Sequence, residues 1–301
     1  MKETLKKKEK RLRRKRIAMF VALSVVALLF LLSVAGILRK DRLPKDGASF
    51  LFLSVGQASC SLIFTEEGTV MIDTGSNLSE GTLGAALSHY RISELSMLIL
   101  THADEDHAGG LDLVLEEAHV RKLVMNEITL ETLTGYARDT LDRAVSEGKT
   151  ELLTVTGGDV LSHGESTIRF LAPNRDHESD DANESSLVFL FRYRETSALY
   201  TGDADTSGEA EALRLLRAEE DFSCDVLLVG HHGSNTSSSE AFISFVKPQY
   251  AVISCALENR YGHPSITVLD RLNSVGATIL RTDLDGSILL HSDGSIVTPL
   301  R

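Results

Sequence analysis

The segment His102-Ala-Asp-Glu-Asp-His107 gathers imidazole and carboxylate side chains directly after the apolar run Leu98–Leu100. Carboxylates crowded into one loop repel one another, so a group of this kind usually has a cation that holds it together. Imidazole and carboxylate suit Zn, Mn and Fe, and no thiolate lies nearby. Positions 102, 104 and 106 alternate and can face one point, and Gly109-Gly110 allow tight backbone geometry after them. The segment therefore predicts a site for divalent metal ions.

This segment is part of a series of six motifs. THADEDHAGGL (101–111) is similar to the HxHxDH motif of metallo-β-lactamase fold hydrolases, with Asp104 at the position of the middle histidine. The other five motifs are LSVGQ (53–57), MIDTG (71–75), YTGDAD (200–205), LLVGHHGS (227–234) and NRYGHPS (259–265). In this order they resemble the hydrolase domain of the ComEC competence-protein family, over about residues 49–296. The resemblance does not include that family's multi-helix channel, so it does not imply DNA transport by this chain.

The resemblance implies an α/β (α+β) fold, a four-layer αββα metallo-β-lactamase sandwich with a dinuclear site between the sheet edges. It implies that His102 and Asp104 bind the first metal ion and that Asp106 and His107 bind the second. Asp203 would bridge the two ions, since a carboxylate can offer one oxygen to each. The implied cofactors are two divalent metal ions, Zn or Mn.

The second metal ion needs one more histidine, and the sequence leaves two assignments open. Chain topology favours His263, which follows the last strand of the second half. In that case His231 and His232 would contact substrate phosphate or protonate the leaving group, with Ser234 as a hydrogen-bond donor and Asp106 beside them in the catalytic set. In the alternative assignment, a histidine of the pair 231–232 completes the metal site.

Other motif residues are expected to bind substrate or to support the ligands. Asn183, Asn259 and Tyr261 are candidates for substrate binding, and Asp73 is expected to orient the ligand loop by hydrogen bonds. The sequence departs from the family in two places. No third histidine for the first metal ion is evident, although Asn183 lies in about the right region. The residues after Gln57 are Ala-Ser-Cys where the family often has Gly-Asp-Ala.

The elements that must position these residues are short strands separated by helices. The pattern predicts strands or strand-to-loop units at 48–55, 60–65, 69–75, 97–102, 122–127, 151–156, 167–173, 186–193, 197–203, 225–234, 250–259, 278–283 and 286–292. Helices are predicted near 80–90, 109–118, 130–149, 207–219, 238–246 and 265–276. Helices packed on sheet faces are the expected arrangement.

The charge of the chain is unevenly distributed. Residues 1–16 hold ten Lys/Arg and two Glu, and residues 17–38 carry no charge. Residues 39–301 therefore carry −20, the difference between −12 for the chain and +8 for the tail. The pattern predicts a basic cytoplasmic tail (1–16), a transmembrane helix (17–38), a linker (39–47) and an extracellular hydrolase domain (48–301) of a single-pass cell-membrane protein. The alternative is a signal peptide cleaved near Ser33-Val34-Ala35.

These observations predict a membrane-anchored extracellular metal-dependent hydrolase, a phosphodiesterase or nuclease in which a hydroxide held between two ions attacks the ester. The expected partners are a phosphoester substrate, with DNA as one candidate, and the membrane through residues 17–38. The acidic domain argues against tight binding of long nucleic acid. Two alternatives remain: hydrolysis of a cell-wall or small-molecule ester, such as a phosphorylcholine-type ester or a lactone, and a non-catalytic binding protein with a degenerate site.

Overall fold

The computed structural model of the protein describes residues 43–177, 181–219 and 222–300. The predicted tail (1–16) and transmembrane helix (17–38) lie outside these residues. Within the three described ranges, no helix is long and apolar enough to cross a bilayer. The predicted single-pass membrane localisation is corrected on this finding and is withdrawn.

The strands are short, and most of them alternate with turns or helices along the chain. Their bounds are β1 (Ala48–Phe52), β2 (Ser61–Thr65), β3 (Gly68–Ile72), β4 (Glu94–Leu95), β5 (Met97–Ile99), β6 (His119–Val120), β7 (Lys122–Met125), β8 (Glu151–Thr154), β9 (Val160–His163), β10 (Ser166–Ala172), β11 (Val188–Tyr193), β12 (Thr196–Tyr200), β13 (Val226–Leu228), β14 (Tyr250–Ile253), β15 (Thr278–Arg281), β16 (Ile288–Ser292) and β17 (Val297–Leu300).

Helices connect many of these strands. Their bounds are α1 (Glu80–His89), α2 (Glu105–Ala108), α3 (Leu111–Glu117), α4 (Glu127–Thr132), α5 (Gly135–Ser146), α6 (Thr206–Leu216), α7 (Glu240–Val246), α8 (Ile266–Ser274) and α9 (Thr282–Asp285). Two 3₁₀ turns, Asn77–Ser79 and Gly230–Gly233, complete the described elements.

Two large sheets form the centre of the fold. The first has the order β17-β16-β1-β2-β3-β5-β7-β8, and the second has the order β15-β14-β13-β12-β11-β10-β9. Strands β3, β5, β7 and β8 are parallel, as are β12, β13, β14 and β15. Because ligands in α/β folds bind outside the carboxyl ends of parallel strands, both sheets provide edges suited to a site.

Alternation along the strands separates two faces of each sheet. In β1, Phe50 and Phe52 point into the core between the sheets, whereas Leu51 packs in a cluster with helix residues on the outer side. Across the inner core, Phe189 of β11 stacks on Tyr200 of β12 with ring centroids 4.9 Å apart. Residues of α6, α7 and α8 cover the outer face of the second sheet. The apolar periodicity of the sequence therefore fixed which face of each strand is buried.

The structure contains elements that the sequence did not predict. They are strands β4, β6, β9 and β17 and the four-residue helices α2 and α9. Strands β9 and β17 are each a terminal strand of a large sheet and have exposed residues along their length. The predicted helix 130–149 is two helices, α4 and α5. Thr134 adopts an extended conformation between them and Gly135 has a φ of 68°.

Candidate metal centre

The candidate site lies where loops leave the carboxyl ends of four strands. Asp73 follows β3, His102 follows β5, Asp203 follows β12 and His231 follows β13. The loops touch closely: the backbone N–H of His231 donates to the carbonyl of Gly202 at 3.1 Å. Gly202 has a φ of 51°, and a Cβ on it would lie 2.9 Å from the Cβ of Thr101. Glycine there lets the loops from the two sheets approach each other.

Four side chains converge in a group that could hold a metal ion. One ligand atom each from Asp106, His107, Asp203 and His232 lies within 4.8 Å of the others. His107 Nε2 is 3.1 Å from Asp203 Oδ1, and His232 Nε2 is 3.3 Å from Asp106 Oδ2 and 3.8 Å from Asp203 Oδ2. The group draws on both sheets, since Asp106 and His107 follow β5 and the other two residues follow strands of the second sheet.

The chemistry of the donors fits a divalent cation. The Nε2 atoms of His102, His107 and His232 are buried and make no well-aligned hydrogen bond, and those of His107 and His232 face the carboxylates of Asp203 and Asp106. The opposite ring nitrogens are engaged, because Nδ1 of His107 contacts Asp73 at 2.8 Å and Nδ1 of His232 contacts the carbonyl of Ser254 at 2.8 Å. Donation from Nδ1 leaves the Nε2 lone pair free to bind a metal, which is the usual arrangement of histidine ligands.

Asp73 and Thr101 hold the ligand loop in place. The carboxylate of Asp73 accepts hydrogen bonds from the backbone N–H of Thr101 at 2.8 Å and from its hydroxyl at 2.9 Å. The Thr101 hydroxyl also lies 3.0 Å from Nδ1 of His102. Asp73 is buried and stands outside the four-residue group, and its orienting role stays a prediction.

His102 and Asp104 extend the site on one side. His102 Nε2 is 3.8 Å from Asp104 Oδ2, and the rings of His102 and His107 have centroids 4.1 Å apart. The Asp104 side chain is 48% exposed, so this side of the centre is open to solvent. A second ion could use these two residues together with Asp203, the arrangement that the sequence predicts.

The electrostatics of the group favour an ionised carboxylate on Asp203 and a proton on His107. Burial, followed by the charge of His107, lowers the pKa of His102 to about 3. Burial opposes ionisation of Asp203, but the positive charges of His107 and His232 hold its pKa well below the ordinary range. For His107, the carboxylates of Asp203 and Asp73 outweigh burial and hold the pKa well above its ordinary value. Metal binding would therefore release protons from the centre.

His231 and His263 lie beside the group rather than in it. Nε2 of His231 is 3.7 Å from Asp203 Oδ2, and its side chain is 26% exposed. The His263 ring is 5.8 Å from the His231 ring, centroid to centroid. Of the two assignments that the sequence left open for the second metal ion, this geometry favours a histidine of the pair 231–232, namely His232.

The predicted substrate-binding residues occupy different environments. The side-chain amide of Asn259 forms hydrogen bonds within its own loop at both ends. Its Nδ2 donates to the carbonyls of Ala256 and His263, and its Oδ1 accepts from backbone N–H groups. Tyr261 is 56% exposed. The Ser234 hydroxyl is buried beside Thr236 at 3.0 Å. The Oδ1 atom of Asn183 is buried and has no hydrogen-bond partner.

Three supporting residues were missed in the sequence. The Ser186 hydroxyl accepts from the backbone N–H of Asp203 at 3.1 Å, Thr101 bonds to Asp73, and the Ser254 carbonyl faces His232. Thr101 could have been found, since it begins the metal motif. Ser186 and Ser254 carry no sequence signal, because the contact of Ser186 is with a backbone group and that of Ser254 is through its own carbonyl.

Comparison with known proteins gives consistent matches. Residues 53–256 match the Metallo-beta-lactamase superfamily. ComE operon protein 3 of Bacillus subtilis (strain 168) is 32% identical over 258 residues, covering 78% of this chain and 32% of that protein. Competence protein ComA of Neisseria gonorrhoeae is 31% identical over 251 residues, covering 83% of this chain and 33% of that protein. The chain thus spans about a third of the length of these curated relatives.

Among solved structures, the metallo-beta-lactamase fold protein YhfI from Bacillus subtilis aligns with a TM-score of 0.52 at 12% identity. The alignment covers 81% of this chain and 100% of that one. At this identity the similarity concerns the fold.

Proposed function

The chain belongs to the metallo-β-lactamase superfamily and has its mixed α/β, metal-dependent hydrolase-type fold, and on that premise we propose that it hydrolyses phosphodiesters. The membership and the two competence-protein relatives confirm the resemblance stated from the six motifs. Members of the superfamily bind divalent metal ions, and the described residues contain a candidate group for one.

The observation that carries the proposal is the convergence of Asp106, His107, Asp203 and His232, with the buried imidazole Nε2 atoms of His107 and His232 facing carboxylate oxygens. A binding protein with a degenerate site would have no need to bury this set of ionisable groups, since burying charged groups costs free energy. A bound divalent cation would offset that cost. The intact donor set therefore favours an enzyme over the non-catalytic alternative.

The proposal assigns roles to the residues around the group. His102, Asp104 and Asp203 would hold one divalent ion, and Asp106, His107, His232 and Asp203 would hold a second. When bound, such ions stabilise negative charge on ester oxygens and lower the pKa of water.

The partly exposed His231 stands beside Asp203 without joining the four-residue group. We assign it to contact the substrate phosphate or to deliver a proton to the leaving oxygen. Asp73 keeps the His107 ring in position, which is a supporting role.

The substrate class rests on the relatives. One of them is named a competence protein and the other ComE operon protein 3, and another relative at 30% identity is Recombination protein 2 of Haemophilus influenzae. These names support a nucleic-acid phosphodiester, with DNA as the candidate, over a cell-wall ester or a lactone.

The direct test is hydrolysis of bis-p-nitrophenyl phosphate by the purified full chain with Mn or Zn, beside a lactone of similar size. We expect turnover of the phosphodiester that EDTA abolishes and added metal restores. Asp106→Ala should remove that turnover, whereas Asp142→Ala, a substitution on the exposed face of α5, should not. Turnover of the lactone alone would reject the phosphodiesterase, and absence of bound metal would favour a binding protein.

A further inference from the structure

A row of stacked side chains leads from the metal centre to the surface. We call Arg260, Tyr261, His263 and His231 the aromatic ladder. The guanidinium carbon of Arg260 is 4.8 Å from the centroid of the Tyr261 ring, and the Tyr261 and His263 rings are stacked at 5.7 Å and 24°. The His263 and His231 rings meet edge to face at 5.8 Å. The row ends at the centre, because Nε2 of His231 is 3.7 Å from Asp203 Oδ2.

The loop that carries the ladder is held in one conformation from inside. The side chain of Asn259 accepts from the backbone N–H groups of Tyr261 at 3.2 Å and His263 at 3.0 Å. Its amide nitrogen donates to the carbonyls of Ala256 and His263. Asn259 therefore uses both ends of its amide within the loop and acts as a positioning residue. A loop fixed in this way presents Tyr261 at little further entropic cost when a ligand binds.

The side chain of Tyr261 is largely exposed to solvent. More than half of the side chain, 56%, is open to solvent although Arg260 and His263 lie against it. Leu257 and Ile266, on either side of the same loop, are 65% and 70% exposed. The loop thus offers apolar and aromatic surface beside a polar centre, the combination typical of a ligand-recognition surface.

The charge of the protein makes such a surface useful. Residues 39–301 carry −20, so long-range attraction of a polyanion is weak. Affinity for a nucleotide must then come from short-range contacts. Stacking of a base on an aromatic ring is one such contact. It does not depend on net charge because the base and the ring are both neutral, and it accepts any base because every base has a π-face. A guanidinium beside the ring adds a second stacking plane and a phosphate donor.

From these observations we propose that the aromatic ladder is the base-recognition surface of the site. The nucleobase next to the cleaved phosphodiester stacks at the outer end of the ladder, against the Arg260 guanidinium and the exposed part of the Tyr261 ring, and Arg260 also contacts the adjoining phosphate. This inference rests on the proposed phosphodiesterase function and adds to it the residues that select a nucleotide over a simple phosphodiester.

The test compares two substrates with one leaving group. Thymidine 5′-(p-nitrophenyl phosphate) carries a base, and methyl p-nitrophenyl phosphate does not. The measured quantity is the ratio of kcat/KM for the nucleoside ester to kcat/KM for the methyl ester. Tyr261→Ala should lower this ratio about tenfold. Tyr261→Phe keeps the ring and loses only the hydroxyl that accepts from Arg260 Nη2 at 2.6 Å, so it should lower the ratio by no more than about threefold. Tyr136→Ala is the matched control, because Tyr136 is equally exposed and lies on α5.

A binding measurement separates this inference from the function on which it rests. Fluorescence anisotropy of labelled tetrathymidylate measures binding, and EDTA prevents metal-dependent hydrolysis during the measurement. Tyr261→Ala should weaken the Kd about tenfold, and Tyr136→Ala should leave it as in the unsubstituted chain. If neither ester is hydrolysed while Tyr261 still governs binding, the phosphodiesterase fails and the recognition surface stands. If the ratio and the Kd are both unmoved by Tyr261→Ala, the recognition surface is rejected.

Discussion

Nδ1 of His107 lies 2.8 Å from Oδ2 of the buried Asp73, and this contact orients the His107 ring in the candidate metal centre. The imidazole is held between two carboxylates, because its Nε2 lies 3.1 Å from Asp203 Oδ1. Donation to Asp73 directs the other nitrogen toward the centre, so a residue outside the ligand group controls a residue inside it. Carboxylate–histidine pairs of this kind fix the tautomer and raise the basicity of the ligand.

The first prediction concerns this pair. Asp73→Asn removes the charge that holds His107 and should weaken metal affinity about 10–100-fold, the usual effect of losing an outer hydrogen-bond partner. The measurement is metal titration against a competing chromophoric chelator. Asp142→Asn, with an exposed side chain on α5, serves as the control. Metal affinity unchanged in Asp73→Asn would show that the pair is structural only.

The second prediction decides between the two histidine assignments. His232→Ala should lower the metal content of the purified chain, because His232 belongs to the convergent group and His263 does not. His263→Ala should retain its metal. Elemental analysis by inductively coupled plasma mass spectrometry, with folding checked by circular dichroism, gives the comparison. The opposite pattern would restore the assignment of His263 that the motif order favours.

The third prediction concerns the residue shared by both proposed ions. Asp203→Asn keeps the size of the side chain but removes its charge, and it should lower phosphodiester turnover by about 100-fold or more. Asp203 is only 4% exposed, so the loss of charge falls in a site with little water to compensate. The assay is turnover of bis-p-nitrophenyl phosphate across a range of Mn concentrations. Full recovery at high metal would limit the role of Asp203 to affinity.

The fourth prediction concerns thiol chemistry and its pH dependence. Burial raises the pKa of Cys60 and Cys224 far above the ordinary value, and burial with the neighbouring Asp283 raises the pKa of Cys255 to about 12. All three should therefore stay protonated and unreactive at pH 8 in the folded protein. Mass spectrometry after iodoacetamide treatment should find no alkylation until urea unfolds the chain. Rapid alkylation of any one cysteine under native conditions would contradict this environment.

The fifth prediction concerns the glycine that ends the metal motif. A Cβ at position 109 would lie 2.3 Å from the carbonyl oxygen of Glu105 and 2.6 Å from the backbone nitrogen of Asn77. Backbone atoms cannot yield easily, so Gly109→Ala should destabilise the fold by about 1–3 kcal/mol. Urea unfolding measures the change. Gly84→Ala is the control, since a Cβ there meets nothing within 4 Å in α1 and should stabilise by about 0.5–1 kcal/mol.

Much of the fold was readable from the sequence because it depends on local periodicity. The alternation of Phe50, Leu51 and Phe52 already separates an inner from an outer sheet face, and the positions of most strands and helices followed from such patterns. Strands β9 and β17, both terminal strands with exposed residues, were missed, although the terminal strands β8 and β15 were found. The predicted membrane localisation was withdrawn because no helix in the described part of the chain could span a bilayer.

The residue types of the site were also set by the sequence. The crowding of His102, Asp104, Asp106 and His107 in one loop indicates metal chemistry by itself, because these charges need a cation. Asp203 and His232 were recognisable as candidates from their motifs. Which of His231, His232 and His263 faces the centre was not, since all three follow strands of the same sheet and chain order does not fix distance.

Tertiary structure alone decided that choice. The carbonyl of Ser254 contacts Nδ1 of His232, so Nε2 of His232 faces Asp106. Residues 232 and 254 lie in loops that follow two different strands. Tyr261 likewise depends on its loop, which Asn259 closes through hydrogen bonds to backbone groups. Backbone groups are present at every residue, so contacts with them cannot be predicted from the residue types in the sequence. The sequence thus determined which chemical groups are available, and packing between the two sheets determined which of them meet.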